Sequence, residues 1–100
     1  MKARIIVIDD DAVAAEFLRE TLQRDGYEVM ACTSAGQALR EDLSKYDLLM
    51  SDIRMPEMDG LQVLAEVQKK CPTLPVILMT AYGSLDTTME AIRQGAWDYI

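Results

Sequence analysis

Three short stretches of this chain carry side chains able to do chemistry, and each follows an apolar run. Asp9, Asp10 and Asp11 come after Ile5-Ile6-Val7-Ile8, Asp52 comes after Asp47-Leu48-Leu49-Met50-Ser51, and Thr80-Ala81 come after Val76-Ile77-Leu78-Met79. If the three runs are neighbouring parallel strands, their C-terminal ends open on one edge of a sheet. Several carboxylates would then converge with a hydroxyl. Like charges held this close repel unless a cation lies between them. The chain contains no His, and neither cysteine lies near these residues, so the ligands would be oxygens. Oxygen-only ligands suit a hard ion, with magnesium the best match and manganese the alternative. A carboxylate beside such an ion can act as a nucleophile towards a phosphoryl group, with a hydroxyl donating a hydrogen bond to a transferring oxygen. Simple helix capping accounts for Asp11, which stands at an N-cap position. It does not account for the grouping of Asp9, Asp10 and Asp52.

The elements that would position these groups can be read from hydrophobic periodicity. Ile5–Ile8 is a β-branched run of the kind buried on both faces of a sheet. Ala14, Phe17, Leu18 and Leu22 then recur at helical spacing, and Gly26 closes that helix as its C′ residue. A second strand spans 27–32. Ser34 and Gln37 form a capping-box pair, and Ala35, Ala38, Leu39 and Leu43 give the next helix its stripe. After the third strand, Pro56 and Gly60 mark 53–60 as a loop. A third helix follows, with Leu61, Leu64, Ala65 and Gln68 along one line and Val63 and Val67 widening its apolar face. Pro72 and Pro75 end it before the fourth strand. A fourth helix is expected over about 84–94, stopped by Gly95, and Asp98-Tyr99-Ile100 opens a fifth strand. Alternating strands and helices joined by short links imply an α/β fold, a parallel sheet covered on both faces.

Composition narrows the function classes. One hundred residues make one domain, and the formal charge of −7 opposes direct contact with nucleic acid. No apolar run approaches membrane-spanning length, and Met1-Lys2-Ala3-Arg4 lacks the layout of a signal peptide, so a cytoplasmic location is the expectation. Cys32 and Cys71 stand in no metal-binding or redox spacing and read as small hydrophobes kept reduced. The methionines and Trp97 read as packing residues.

The stretches Ile5-Ile6-Val7-Ile8-Asp9-Asp10-Asp11, Ser51-Asp52-Ile53-Arg54-Met55-Pro56-Glu57-Met58-Asp59-Gly60 and Val76-Ile77-Leu78-Met79-Thr80-Ala81 resemble the receiver domains of two-component response regulators. The likeness covers essentially the whole chain, 1–100, and keeps the family's motif order. It implies a flavodoxin-like, doubly wound parallel sheet of strand order 2-1-3-4-5. It further implies that Asp52 accepts a phosphoryl group from a sensor histidine kinase. Asp10, Asp52 and the backbone carbonyl of Arg54 would hold Mg2+, with Asp9 acting mainly through water. Thr80 would be the switch hydroxyl, next to Ala81, and Tyr99 the aromatic that follows it. Tyr82-Gly83-Ser84-Leu85-Asp86 and Ala91–Tyr99 further resemble receivers of the NtrC class. Those continue into an ATPase domain, which remodels polymerase carrying an alternative sigma factor, and then a DNA-binding domain; the output implied is transcription regulation.

Receivers place a Lys-Pro pair just after the aromatic of the fifth strand, and the sequence stops at Ile100 before it. The expectation is an N-terminal piece of a longer regulator, with the fifth strand and fifth helix truncated and exposed apolar surface favouring a homodimer. Two other readings stand beside this one. Asp9-Asp10-Asp11-Ala12-Val13 also fits the strand end of a haloacid-dehalogenase-like phosphatase, an enzyme, but that superfamily gives no role to Asp52 or to the loop behind it. A receiver fold serving as a binding module without phosphorylation is the other.

Overall fold

The computed structural model describes residues 2–79, Gly95, and the backbone of Asp98 and Tyr99. The apolar run near the N-terminus forms β1 (Arg4–Ile8), followed by α1 (Ala12–Arg24) and β2 (Glu28–Cys32). Next come α2 (Ala35–Leu39), a 3-10 turn at Leu43–Lys45, and β3 (Leu48–Asp52). The chain continues through α3 (Gly60–Lys70) to β4 (Val76–Met79) and β5 (Asp98–Tyr99). All strands pair in parallel in the order β2-β1-β3-β4-β5, the order the receiver resemblance implied.

Alternation along the strands divides the sheet between two layers. Ile6, Ile8, Leu49, Val76 and Leu78 face a core built with Val63, Leu64 and Val67 of α3 and Ala35 and Ala38 of α2. The opposite face carries Ile5, Leu48, Met50 and Ile77, and α1 approaches it through Leu22. Full burial of a Leu, Ile or Val side chain contributes about 1.5–3 kcal/mol, so the α3 face supplies most of the hydrophobic stabilisation described. At the far edge of the sheet the Arg4 amide donates to Asp47 Oδ2 at 2.8 Å, and the Arg4 guanidinium lies 5.2 Å from the Tyr46 ring centroid. That end is fastened and the other is left for chemistry.

Three sequence expectations need correction. Phe17 does not belong to the buried stripe of α1: it is 69% exposed, while Ala15 is the buried residue. Two positions along a helix are about 200° apart, so burying Ala15 turns Phe17 outward, and Val13 with it. The second helix does not reach Leu43. Gly36 weakens it, and the Asp42 carboxylate accepts from Ser44 N–H and starts a separate 3-10 turn, in which Leu43 is still buried. Gly60 is not a loop breaker but the first residue of α3, capped by Asp59. Gly26 has the left-handed φ of +96° expected after α1, and Gly95 has φ +99°. The fourth helix expected over 84–94 lies outside the described residues.

Candidate phosphoacceptor and metal site

Strand register brings the acidic residues together. Ile8 is paired with Ser51, so Asp9 and Asp52, one residue on in each strand, leave the sheet side by side. The chain visits β2 on one side of β1 and then crosses to β3 on the other. Asp9 and Asp52 therefore stand at the reversal in strand order, where parallel sheets open a crevice. The Asp9 amide is tied to the Cys32 carbonyl at 3.0 Å, and Ile53 N–H donates to the Met79 carbonyl at 2.9 Å. Both loops thus leave from a fixed edge.

Asp9, Asp10 and Asp52 each offer a carboxylate oxygen, and these oxygens lie within 4.8 Å of one another. Among the described residues this is the cluster able to hold a metal ion. Asp9 and Asp52 are half-buried and Asp10 is exposed, so the group faces solvent on one side. The Asp9 carboxyl is raised above its ordinary value. Partial burial is the main cause; the Asp11 amide opposes it, and the charges of Asp52, Asp10 and Asp11 add to it. A cation between these oxygens removes that repulsion, and an all-oxygen, all-carboxylate donor set suits a small hard divalent ion. The residues present fit Mg2+.

Asp11 stands apart, as the capping reading expects. Its Oδ1 accepts from Val13 N–H at 2.9 Å and Ala14 N–H at 3.3 Å, closing the N-terminus of α1. Its own amide donates to Asp9 Oδ1 at 2.9 Å, so the helix cap also orients a member of the cluster.

The loop after β3 is equally constrained. The Arg54 amide donates to Asp52 Oδ1 at 3.4 Å, a long contact that turns the loop back over the carboxylate. Met55 and Met58 pack against the core, as read from the sequence, and Ile53 is buried. Asp59 and Gln62 form a reciprocal capping box: Gln62 N–H donates to Asp59 Oδ1 at 2.8 Å, and Asp59 N–H to Gln62 Oε1 at 2.9 Å. The spacing Asp59-x-x-Gln62 carried that signal, but the Gly60 beside it reads as a break. The pair expected at α2 is incomplete, since Ser34 Oγ accepts from Gln37 N–H while Gln37 Oε1 accepts from Thr33 N–H rather than that of Ser34. Ser51 and Gly60 both touch the Asp52 peptide; sequence reasoning gave Ser51 no role and read Gly60 only as a breaker. Thr80, Ala81 and the Tyr99 side chain lie outside the described residues, as do Tyr82 and Trp97. Cys32 and Cys71 are both free thiols. No helix among the described residues is long and apolar enough to cross a membrane.

The chain is similar to known proteins in both sequence and fold. The response regulator receiver domain model matches residues 5–100. Response regulator protein FleR of Pseudomonas aeruginosa is 45% identical over 104 residues, covering 100% of this chain and 21% of FleR. The DNA-binding transcriptional regulator NtrC of Proteus hauseri is 42% identical over 99% of this chain and 21% of its own length. The chain thus spans about a fifth of these relatives. Among solved structures, a receiver domain protein from Clostridium thermocellum superposes with a TM-score of 0.93 at 34% identity, covering 98% of this chain and 80% of that one. TrrA of Thermotoga maritima, in complex with Mg2+-BeF, superposes at 0.86 with 38% identity, covering 100% of this chain and 85% of TrrA. The family is regulatory rather than enzymatic, and the phosphatase alternative leaves Asp52 without a role in the cluster it joins. This chain belongs to the response regulator receiver domain family, and its relatives include regulators of the NtrC kind.

Proposed function

We propose that the chain is a phosphorelay receiver in which Asp52 is the phosphoryl acceptor. The observation that carries this reading is the convergence of Asp52 with Asp9 and Asp10 at one sheet edge. An Asp52 carboxylate oxygen attacks the phosphorus of a donor phosphohistidine on a sensor histidine kinase. The O–P bond of an acyl phosphate forms, the P–N bond breaks, and the imidazole departs with the bonding pair. Asp10, Asp52 and the Arg54 carbonyl would hold Mg2+, with Asp9 acting mainly through water, and the ion would supply charge neutralisation to the phosphoryl oxygens. The Asp52 side chain is kept in reach of a donor by the Arg54 amide and by the fixed exit of β3. Thr80, with Ala81 beside it, donates to a phosphoryl oxygen, and Tyr99 follows that change. That TrrA, 38% identical to this chain, was solved in complex with Mg2+-BeF supports a magnesium ion in this reading.

Residues 1–100 act as the receiver part of a longer cytoplasmic regulator. Its output is transcription regulation through an ATPase and DNA-binding region, without nucleic-acid contact by this acidic domain. The relatives' greater length and names support that reading. The test is incubation with acetyl phosphate in the presence of Mg2+ or of a chelator, followed by intact mass. Uptake of one hydroxylamine-labile phosphoryl group only with Mg2+ is expected. Uptake that ignores the chelator, or none at all, refutes the reading.

A further inference from the structure

Asp52 leaves β3 through a peptide that is gripped on several sides. The Ser51 side chain, fully buried, donates its hydroxyl to the Asp52 carbonyl oxygen at 2.9 Å. A buried hydroxyl is costly unless it is bonded, and this one is directed at the peptide that carries the acceptor. Next along the chain, Ile53 N–H donates to Met79 O at 2.9 Å, and Ile53 O accepts from Gly60 N–H at 2.9 Å. The first turn of α3 presses on the same peptide. A Cβ at Gly60 would stand 2.9 Å from Ile53 Cα, 3.0 Å from Asp52 O and 3.1 Å from Ile53 Cγ1. Two of those atoms are backbone, which cannot swing aside, so any side chain at position 60 forces the Asp52–Ile53 peptide and the first turn of α3 apart.

We propose that Ser51 and Gly60 are positioning residues for the Asp52 carboxylate: the hydroxyl fixes its carbonyl from the core side, and the missing side chain lets α3 close against it. The proposal rests on the reading of Asp52 as acceptor and metal ligand. The carboxylate and the carbonyl share one Cα, and Ile53 N–H is held on Met79 O, so a push on this peptide that shifts the Cα carries the carboxylate with it relative to Asp9 and Asp10. It also moves the Arg54 amide that meets Asp52 Oδ1. Neither Ser51 nor Gly60 touches the reacting atoms. They act through Asp52, as outer groups that orient metal ligands do.

The experiment compares Ser51→Ala, Ser51→Thr and Gly60→Ala with the wild type and with Val67→Ala, a core truncation in α3 away from the cluster. Mg2+ affinity is read by calorimetry, uptake from acetyl phosphate is resolved into its maximal rate and half-saturation, and melting temperature is recorded. Ser51→Ala and Gly60→Ala are expected to weaken Mg2+ binding about tenfold and to lower the maximal rate of uptake, with Ser51→Thr restoring both towards wild type. Val67→Ala is expected to lower the melting temperature while keeping wild-type Mg2+ affinity and uptake. The role is overturned if Ser51→Ala and Gly60→Ala also keep them, changing melting alone. Should Ser51→Ala fail to fold, Gly60→Ala decides by the same comparison. A wild type that binds no Mg2+ and takes up no phosphoryl group overturns the receiver reading and this role together. A wild type that does both, matched by the variants, overturns only the role.

Discussion

Asp11 donates its amide to Asp9 Oδ1 at 2.9 Å while its own carboxylate caps α1. One residue thus serves two ends of the same turn: it satisfies helix donors with its side chain and steers a cluster carboxylate with its backbone. Asp11→Ala removes the first function and leaves the second available. It should destabilise the protein by about 1 kcal/mol in urea denaturation, the usual cost of a lost N-cap. Mg2+ affinity should fall only modestly, since the backbone amide remains. A loss of Mg2+ binding as large as that of Asp52→Asn contradicts the separation of these functions.

The charge on Asp9 has a signed consequence for stability. Its carboxyl is raised above 3.8 in the fold, first by burial and, after the opposing Asp11 amide, by its acidic neighbours. At pH values between the unfolded and folded values the native state therefore holds a proton that the unfolded chain has released. The stabilisation is complete below the unfolded value and is lost as pH rises through the folded value, leaving the ionised carboxylate a cost at neutral pH. Asp9→Asn keeps an oxygen for the Asp11 amide and removes the charge. In metal-free protein it should raise the melting temperature at neutral pH, a gain that fades as pH falls through the aspartate range. Calorimetry in chelator at a series of pH values checks this; a lowered melting temperature at neutral pH contradicts it.

Two apolar residues distinguish the faces of the helices. Leu64 of α3 is fully buried and Phe17 of α1 is mostly exposed. Leu64→Ala should cost about 2–5 kcal/mol, and Phe17→Ala no more than about 0.5 kcal/mol. Equal losses in chemical denaturation would show that Phe17 packs inward after all.

The two thiols should differ in reactivity. Cys32 is fully shielded, and burial, with a smaller contribution from Glu41, pushes its thiol up from 9.0 to about 11. It remains a protonated thiol through neutral and mildly alkaline pH, and the thiolate is the reactive form. Cys71, half-buried at the end of α3, should be alkylated by iodoacetamide in the native protein, with Cys32 modified only after denaturation. Peptide mapping decides, and rapid native alkylation of Cys32 refutes the expectation.

Much of this was legible in residue order. The β-branched run Ile5–Ile8 could be little other than a buried strand, and strand ends followed by Asp9 and Asp52 imply a shared edge once the sheet is parallel. What stayed illegible depends on contacts across the chain. Nothing in the spacing of Ala14, Phe17, Leu18 and Leu22 says that small Ala15, rather than Phe17, lies over the sheet. Gly60 reads as punctuation until the Asp52–Ile53 backbone is found where its Cβ would stand. Ser51 reads as one more strand residue until its hydroxyl is traced to the Asp52 carbonyl. Periodicity reports which face a residue takes, but not what approaches it from another element.

The central claim is that Asp52 itself accepts the phosphoryl group. The most direct measurement treats wild type and Asp52→Asn with acetyl phosphate and Mg2+, traps the acyl phosphate by borohydride reduction, and maps the modified residue by peptide mass spectrometry. The account predicts reduction to homoserine at position 52 in the wild type and no modification anywhere in the variant. Reduction at Asp9, Asp10 or another residue in the wild type, or undiminished uptake by Asp52→Asn, contradicts it.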